Sequence, residues 1–343
     1  MRKRAIAWVA LAVAIAAAGF VVGRGTINPI SGPAAAPVHY GSPVGGGLGA
    51  TADTANPVTD GGTTSAPASH PATGKKKDKS DDGRKNGPAR PGGSRPSGKT
   101  RHLALNTDSG DWAKLASLGY NVFDVGPDAG ELESLPAGGK GMLWAGNTTC
   151  GDFDLSFGEF TAAVRRLAHN PRVYGWYLSD EPDPKECPEV VGEIRRRADY
   201  INAHAPDQKA FISATDYEYR PLRPANTHVD LIGLDPYPCR SDQSGRCDMR
   251  TVDHFMNGAL AGGFPRDAIV PVFQTFGQEC TSGEQVNLVP TATELRQLLS
   301  RWKKFAPSPA LDISYSWGHQ EEWACPTLQD KPGLQAVMKQ HNR

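Results

Sequence analysis

Between Gly23 and Thr100 the sequence lacks almost every residue type that builds a hydrophobic core. Tyr40 is the only aromatic side chain of this stretch, and none of the six cysteines lies in it. Glycine, proline, alanine, serine and threonine dominate instead, so the stretch cannot bury enough apolar surface to offset the entropy lost on ordering. This composition argues against a folded domain here, and we predict a disordered linker over residues 24–100.

The first 23 residues have the pattern of an export segment. Positive charges at residues 2–4 precede an uncharged apolar run of 18 residues from Ala5 to Val22. That run is long for the core of a signal peptide and barely long enough to cross a bilayer. We expect residues 1–23 to be a signal peptide or, as the length slightly favours, a membrane anchor with its basic end inside. Both alternatives place the rest of the chain outside the cell, either secreted or tethered.

The formal net charge of zero is the sum of a basic N-terminal part and an acidic C-terminal part. Residues 1–100 hold 13 of the 37 basic and 5 of the 37 acidic side chains, which leaves 24 basic and 32 acidic groups, a net charge of −8, in residues 101–343. This acidity argues against nucleic acid as the ligand of the C-terminal part. The basic half of the linker, from Lys75 to Lys99, either contacts anionic cell-wall polymer or lipid headgroups or merely keeps the linker solvated.

Residues 101–343 alternate short apolar runs with amphipathic segments. Eight runs predict β-strands, and most segments between them have the 3.6-residue period of helices. Eight such units in about 240 residues are typical of a single α/β domain of the (β/α)8 or TIM barrel type. The alternative is an open doubly wound sheet, but no glycine-rich phosphate loop follows the first strand. The predicted strands cover residues 102–106, 120–125, 141–145, 174–178, 210–214, 231–234, 269–273 and 311–316.

All six cysteines lie in this C-terminal part, and each follows the end of a predicted strand. Their spacing does not match a paired Cys-x-x-Cys zinc template, and an even number in an exported chain favours disulfides. Fifteen connectivities are formally possible. Pairs within one loop or between neighbouring loops would stiffen one rim of the barrel, so we expect Cys150–Cys187, Cys239–Cys247 and Cys280–Cys325.

The C-terminal ends of the predicted strands, where barrel proteins carry their sites, are rich in carboxylates, amides and aromatic rings. Lysine and arginine are scarce there, which argues against a phosphorylated ligand. Aromatic faces stack on sugar rings while amides and carboxylates bind hydroxyls, so the pattern favours a carbohydrate. The residues at these ends are Asn106, Asp108, Asp124, Trp144, Asn147, Asp180, Glu181, Asp216, Asp235, Tyr237, Gln274, Trp317 and His319.

Residues 173–184, with the sequence Val-Tyr-Gly-Trp-Tyr-Leu-Ser-Asp-Glu-Pro-Asp-Pro, are the most informative stretch. An apolar run ends in the adjacent carboxylates Asp180 and Glu181, and two prolines then prevent further strand pairing. Desolvation at such a place raises a carboxyl pKa towards the range of general acids. An isolated pair of this kind would more simply be a surface turn, but its place on the fourth strand of a barrel favours a site.

Three motifs together make residues 101–343 resemble the glycoside hydrolase superfamily of (β/α)8 barrels. They are Gly175 to Pro182 at strand four, Ile232 to Pro238 at strand six, and Trp317 at strand eight. In the large clan of retaining members the strand-four glutamate is the general acid/base, so the resemblance implies that role for Glu181. It also implies that Trp317 forms the floor of the sugar subsite.

Strand seven departs from that clan, which keeps a nucleophilic glutamate at its end. This chain has Gln274 there, and an amide cannot form a glycosyl-enzyme ester. Three readings follow. The favoured one pairs Glu181 or Asp180 with Asp235, because two carboxylates flanking one bond are required and other barrel glycosidases are similar in placing them on strands four and six. In the second, one carboxylate acts alone while Gln274 orients a water or a substrate acetamido group. In the third, the barrel binds a glycan without cleaving it.

We therefore expect an exported glycoside hydrolase-like barrel, monomeric and without metal or cofactor, that binds and hydrolyses a carbohydrate. The alternative is a non-catalytic carbohydrate- or wall-binding barrel. An esterase or amidase is disfavoured because the sequence has no Gly-x-Ser-x-Gly elbow. The predicted catalytic residues are Glu181, Asp235 and Asp180, and the predicted binding residues are Trp144, Asn147, Tyr237, Gln274, Trp317 and His319.

Overall fold

The structure is a computed structural model that describes residues 99–215, 219–283 and 285–343. The predicted signal or anchor over residues 1–23, all but the last two residues of the predicted linker, and Asp216 lie outside the described residues. Within the described ranges, no helix combines the length and the apolar character that a bilayer span requires.

Eight parallel strands close into a barrel in which each strand pairs with its sequence neighbours and the last pairs with the first. The predicted (β/α)8 architecture is thus confirmed, and each predicted apolar run overlaps one strand. The strands are β1 Arg101–Ala104, β2 Val122–Val125, β3 Lys140–Trp144, β4 Val173–Ser179, β5 Lys209–Ala214, β6 Leu231–Leu234, β7 Ile269–Gln274 and β8 Leu311–Tyr315.

Helices alternate with the strands, as the periodicity predicted. Two of them begin at capping boxes, Ser156 with Glu159 and Thr291 with Glu294, in which each side chain binds the other residue's backbone N–H. The proline-interrupted link between β5 and β6 forms two four-residue helices. The helices described are α1 Trp112–Ser117, α2 Ala129–Ser134, α3 Phe157–Leu167, α4 Glu189–His204, α5 Tyr219–Leu222, α6 Pro224–Thr227, α7 Arg250–Gly262, α8 Ala292–Phe305 and α9 Pro332–His341.

Strand alternation sorts the apolar side chains into two buried layers. Tyr177 and Phe211 belong to the inner layer that fills the barrel, and their rings meet edge to face at 4.7 Å. Trp176 belongs to the outer layer between strands and helices, where its Nε1 donates to Oε1 of Gln208 at 2.6 Å. Adjacent residues of a strand point to opposite faces, which is why Tyr177 lies inside the barrel and Trp176 outside it.

The six cysteines lie in three pairs at disulfide distance: Cys150–Cys187, Cys239–Cys247 and Cys280–Cys325. These are the three pairs that the sequence predicted. The first joins the loops after β3 and β4, the second closes the loop after β6 on itself, and the third joins the loops after β7 and β8. All three therefore restrain the loops at the C-terminal rim of the barrel.

A buried carboxylate secures the seam where the barrel closes. Asp312 on β8 bonds Nδ1 of His102 on β1 and Nε2 of His341 at the end of α9, both at 2.8 Å. Burial by itself raises the pKa of Asp312, but the hydrogen bonds to His102 and His341 prevail and lower it. The last helix is thus fastened to both strands of the closing pair.

Replacing Gly175 by alanine should destabilise the barrel. A Cβ at this position would lie 2.6 Å from the backbone carbonyl oxygen of Lys209 on β5, and a paired strand cannot move aside cheaply. We expect a loss of about 1–3 kcal/mol in the free energy of unfolding, measured by urea denaturation.

Gly192→Ala on α4 is the matched control, because a Cβ there meets nothing within 4 Å. That change should raise stability by about 0.5–1 kcal/mol through helix propensity. Similar effects of the two substitutions would contradict the close approach of β4 to β5.

Candidate active site

The end of β4 carries two of the predicted carboxylates. The pairing of β4 with β5 shifts register between Tyr177 and Ser179, an irregularity that is common beside active sites and redirects the residues that follow. Glu181 then adopts a φ of +47°. Non-glycine residues seldom occupy this left-handed region, and they keep it only where the surroundings hold them.

Ser213 on β5 supplies that restraint. Its hydroxyl donates to Oδ1 of Asp180 at 2.6 Å and accepts from the backbone N–H of Glu181 at 3.1 Å. The Tyr177 hydroxyl donates to the same Asp180 oxygen at 2.5 Å. Burial raises the pKa of Asp180, while the hydrogen bonds from Ser213 and Tyr177 oppose that rise.

The environment of Glu181 favours a neutral side chain. Burial raises the pKa of its carboxyl to about 8, and the negative charge of Asp180 adds to the rise. Below that pH the protonated form predominates. A carboxylic acid that keeps its proton at neutral pH can deliver it to a leaving group.

Asp235, at the end of β6, is the third predicted carboxylate and is only 7% exposed. The hydroxyl of Tyr237 donates to its Oδ2 at 3.1 Å, while its buried Oδ1 has no hydrogen-bond partner among the described residues. Burial first, and then the charges of Glu181 and Asp180, raise the pKa of Asp235 well above its ordinary value. The three carboxylates therefore form one electrostatically coupled group.

In the described part of the chain, the oxygens of these carboxylates do not converge within 4.8 Å as the ligands of one ion would. Two sets of three possible metal-ligating side chains do converge among the described residues, and both lie outside this group. One is the His102–Asp312–His341 cluster at the barrel seam. The other joins Glu294 to the disulfide Cys239–Cys247, whose sulfurs are already bonded to each other.

Aromatic rings stand next to the carboxylates. Tyr237 stacks on Tyr315 with ring centroids 5.8 Å apart, and Phe276 packs edge-on against both. Trp144 packs edge-on against Tyr177 at 5.0 Å, and its Nε1 donates to Asp154. Trp144 and Tyr237, both predicted to bind substrate, are thus partly buried at the inner layer of the barrel.

Asp124 extends the acidic group towards β2. Its Oδ2 accepts from the backbone N–H of Asn106 at 3.1 Å. Burial raises the pKa of Asp124 to about 6; that hydrogen bond opposes the rise, and the charges of Glu131 and Asp180 add to it. The strand-end residues Asn106 and Asp124 thus share the electrostatic environment of Asp180.

Gln274, predicted to contact substrate, does not face the open cleft. It is fully buried, its Oε1 accepts from the N–H of Cys239 at 2.8 Å, and its Nε2 donates to the carbonyls of Cys239 and Leu288 at 3.0 and 3.1 Å. The amide therefore fastens the β6 loop to the β7 loop. A glutamate here would press a carboxylate against two backbone carbonyl oxygens, which explains why an amide suits the position.

Asn147 is also occupied within the fold. Its Oδ1 accepts from the Ser179 hydroxyl at 2.7 Å, and its Nδ2 donates to the Gly151 carbonyl at 2.9 Å. Its own carbonyl accepts from the N–H of Asp180 at 2.8 Å. Asn147 thus braces the loop after β3 against the end of β4 rather than presenting its amide to solvent.

The two strand-eight residues predicted to bind substrate have different surroundings. Trp317 is 3% exposed and packs in the outer layer between strands and helices. His319 lies on the exposed rim, where its Nε2 bonds Asp330 at 2.5 Å. The β8 ring beside the carboxylates is that of Tyr315, whose pKa is raised by burial and by the charges of the three carboxylates.

Ser213 and Tyr315 are the site residues that the sequence analysis missed. Strand alternation could have indicated both, since Phe211 and Ile313 point into the barrel and the second residue after each points the same way. A serine inside an otherwise apolar strand, and a tyrosine immediately before the strand ends, were the available signals.

Comparisons with known proteins support the fold. No family model and no curated protein matches this chain. Among solved structures, a β-galactosidase from the psychrophilic Marinomonas ef1 aligns with a TM-score of 0.52 at 10% identity, covering 71% of this chain and 59% of that chain. The alignment therefore spans about three fifths of the length of that β-galactosidase.

Two further structures align less well. The C-terminal domain of a putative chitinase from Desulfitobacterium hafniense has a TM-score of 0.49 at 11% identity, over 72% of this chain and 100% of that one. A β-glucuronidase from Ruminococcus gnavus has a TM-score of 0.47 at 11% identity, over 71% and 49%. At these identities a structural likeness shows the barrel fold alone.

Glu181→Gln should stabilise the protein in a pH-dependent way. Because the pKa of Glu181 is raised to about 8 in the folded state, its contribution to stability is full below its unfolded pKa and is lost as pH rises towards 8. The neutral amide carries no such penalty, so the melting temperature of the variant should exceed that of the wild type more at pH 8.5 than at pH 4.5. A difference that does not change with pH would contradict the burial of an uncompensated carboxyl.

Proposed function

We propose that this barrel is a glycoside hydrolase that cleaves a glycosidic bond in an oligosaccharide or polysaccharide. The observation that carries the proposal is the pair Glu181 and Asp235 at the ends of β4 and β6. Asp235 is buried, Glu181 is half-buried, and the two are electrostatically coupled, each with a raised carboxyl pKa. Two carboxyl groups on either side of one bond are what this reaction requires.

In this proposal Glu181 is the general acid. Its raised pKa keeps the proton available at neutral pH. The left-handed backbone conformation of Glu181, held by the hydrogen bond to Ser213, fixes the direction in which its side chain leaves the backbone. Protonating the glycosidic oxygen lets the leaving sugar depart as a neutral alcohol.

Asp235 is the second carboxylate. Its Oδ1 is buried without a hydrogen-bond partner among the described residues, so a substrate atom or a water would meet an acceptor that the protein leaves unsatisfied. Ionised, it would attack the anomeric carbon directly or activate a water, and the distance to Glu181 selects between retention and inversion. A proton shared within the coupled group lets one carboxylate ionise while another stays neutral.

Asp180 positions and tunes rather than reacts. Ser213 and Tyr177 both donate to its Oδ1, which suits a carboxylate held in one orientation. Its charge raises the pKa of Glu181. We assign Trp144, Tyr237 and Tyr315 to the aromatic lining of the sugar subsite, because their rings stand around this carboxylate group.

The proposed setting is extracellular. Three cysteine pairs at disulfide distance are typical of proteins from oxidising compartments. This supports an exported protein. The proposal adds that residues 1–23 direct the export and that the linker presents a monomeric barrel, with its basic half contacting anionic wall polymer or lipid.

A glycan-binding barrel without turnover is the second candidate. One observation favours it. Retaining members of the resembled clan carry a nucleophilic glutamate at the end of strand seven, whereas this chain has Gln274 there, and its amide is hydrogen-bonded to backbone groups. The two candidates share the same cleft and differ only in whether a bond is broken.

Glu181→Gln and Asp235→Asn should each lower hydrolysis by about 100-fold or more, because each removes a proton donor or acceptor from the reaction while keeping the side chain's shape. Reducing-sugar release from β-glucan, xylan, galactan and chitin oligosaccharides measures the effect. Glu133→Gln, an exposed glutamate on α2, is the matched control and should retain wild-type rates. Binding without release by the wild type would instead support the glycan-binding barrel.

Asp180→Asn should move the alkaline limb of the pH–rate profile. In the wild type, activity should fall above about pH 8 as Glu181 loses its proton. Removing the charge of Asp180 removes a cause of that raised pKa, so the limb should shift to lower pH. An unchanged limb alongside reduced activity would assign the titration to another group.

A further inference from the structure

Trp323 is the one large hydrophobic side chain that the described residues leave exposed, with 48% of its surface accessible. A single exposed apolar residue is ordinary on a protein surface. Its surroundings distinguish this one, because the turn that carries it is braced on several sides and is connected to the candidate active site.

The turn is held in place by backbone contacts. Gln320 and Ala324 exchange two backbone hydrogen bonds of 3.0 Å, and the Trp323 N–H donates to the Gln320 carbonyl at 3.1 Å. From the β7 loop, the N–H of Ser282 donates to the carbonyl of Glu321 at 3.1 Å. The disulfide Cys280–Cys325 joins the same two loops next to the turn. Trp323 is therefore presented by a fixed backbone rather than by a loose loop.

One side chain connects this turn to the catalytic group. The Tyr315 hydroxyl donates to Oε1 of Gln320, the first residue of the turn. The Tyr315 ring stacks on Tyr237, and the Tyr237 hydroxyl donates to Asp235. Trp323 thus stands on the same rim as the carboxylates, in the loop after β8.

We propose that Trp323 is an outer stacking platform that binds a sugar ring of the substrate beyond the cleavage site. This deepens the proposed function, on which it rests. An exposed indole on a braced turn offers a broad apolar face that loses little freedom when a ring covers it. Because Trp323 contacts the carboxylate group only through Gln320, Tyr315 and Tyr237, a sugar stacked there would not be one of the two at the cleaved bond, so the substrate class is a polymer rather than a disaccharide.

The negative charge of the turn limits which polysaccharides could bind there. Glu321 and Glu322 immediately precede Trp323 and are both exposed. Two carboxylates beside the platform disfavour an anionic chain such as a polyuronate, by like-charge repulsion. The platform therefore suits a neutral polysaccharide or one that carries amino groups.

The test compares binding and turnover on long and short sugars. Wild type, Trp323→Ala, Trp323→Phe and Glu322→Gln are incubated with insoluble cellulose, chitin, chitosan and xylan, and with the matching trisaccharides. Trp323→Ala should weaken binding to the preferred polymer by about tenfold, the loss of one stacked ring, and leave trisaccharide turnover unchanged. Trp323→Phe should retain most of the binding. Glu322→Gln, on the same turn, should bind the neutral polymers like the wild type.

The failure of this inference can be distinguished from the failure of the proposed function. Polymer binding that depends on Trp323 without any hydrolysis would uphold the platform and refute the catalytic proposal. Hydrolysis with polymer binding equal in wild type and Trp323→Ala would overturn the platform alone. A wild type that binds none of the four polymers would also overturn it. Circular dichroism and melting temperature check that each variant is folded.

Discussion

Closure of the parallel barrel is the constraint on which the other features depend. Because all eight strands run in one direction and the last pairs with the first, every strand ends at the same rim. Residues far apart in sequence, such as Asp180 on the β4 side and Asp235 after β6, are thereby brought into one electrostatic group. The His102–Asp312–His341 cluster secures the seam at which this closure takes place.

Placing these carboxyl groups together out of solvent destabilises the folded protein, because their ionised forms lose hydration and repel one another. Burial raises the pKa of Asp124, Asp180, Glu181 and Asp235 in turn, and no ion pair in the described part of the chain includes any of them. A purely structural set of acids would be paired with cations or left in solvent. Uncompensated acids at the mouth of a barrel are what the proposed chemistry needs, with one of them protonated and another free to accept.

The parts that hold this group rigid come from other strands and loops. Ser213 links β5 to both Asp180 and Glu181, Gln274 fastens the β6 loop to the β7 loop, and the three cysteine pairs restrain the same rim. These supports limit the motion of groups that repel one another when ionised. They also place Trp323 on a turn whose position is set by its neighbours.

Sequence reasoning predicted the barrel and the three cysteine pairs, because both follow from local periodicity and order along the chain. It assigned Trp317 to the cleft because of the resemblance to barrel glycosidases and its place at the end of strand eight. The strand in fact ends at Tyr315, and the next residues turn over β1, where the N–H of Trp317 donates to the Leu105 carbonyl. Gln274 lies at the end of β7 as expected, but its amide is hydrogen-bonded to backbone groups of the loops that cover it.

The sequence by itself thus determined the architecture and the identity of the acidic residues at the strand ends, because hydrophobic periodicity and strand order are local properties. Only the tertiary structure decided which of those residues remain open to a ligand. Loop packing set that outcome: it covered Gln274, Asn147 and Trp317, left Glu181 and Tyr237 partly exposed, and turned Tyr315 towards the carboxylates. Hydrogen bonds between loops depend on residues dozens of positions apart, and no local pattern records them.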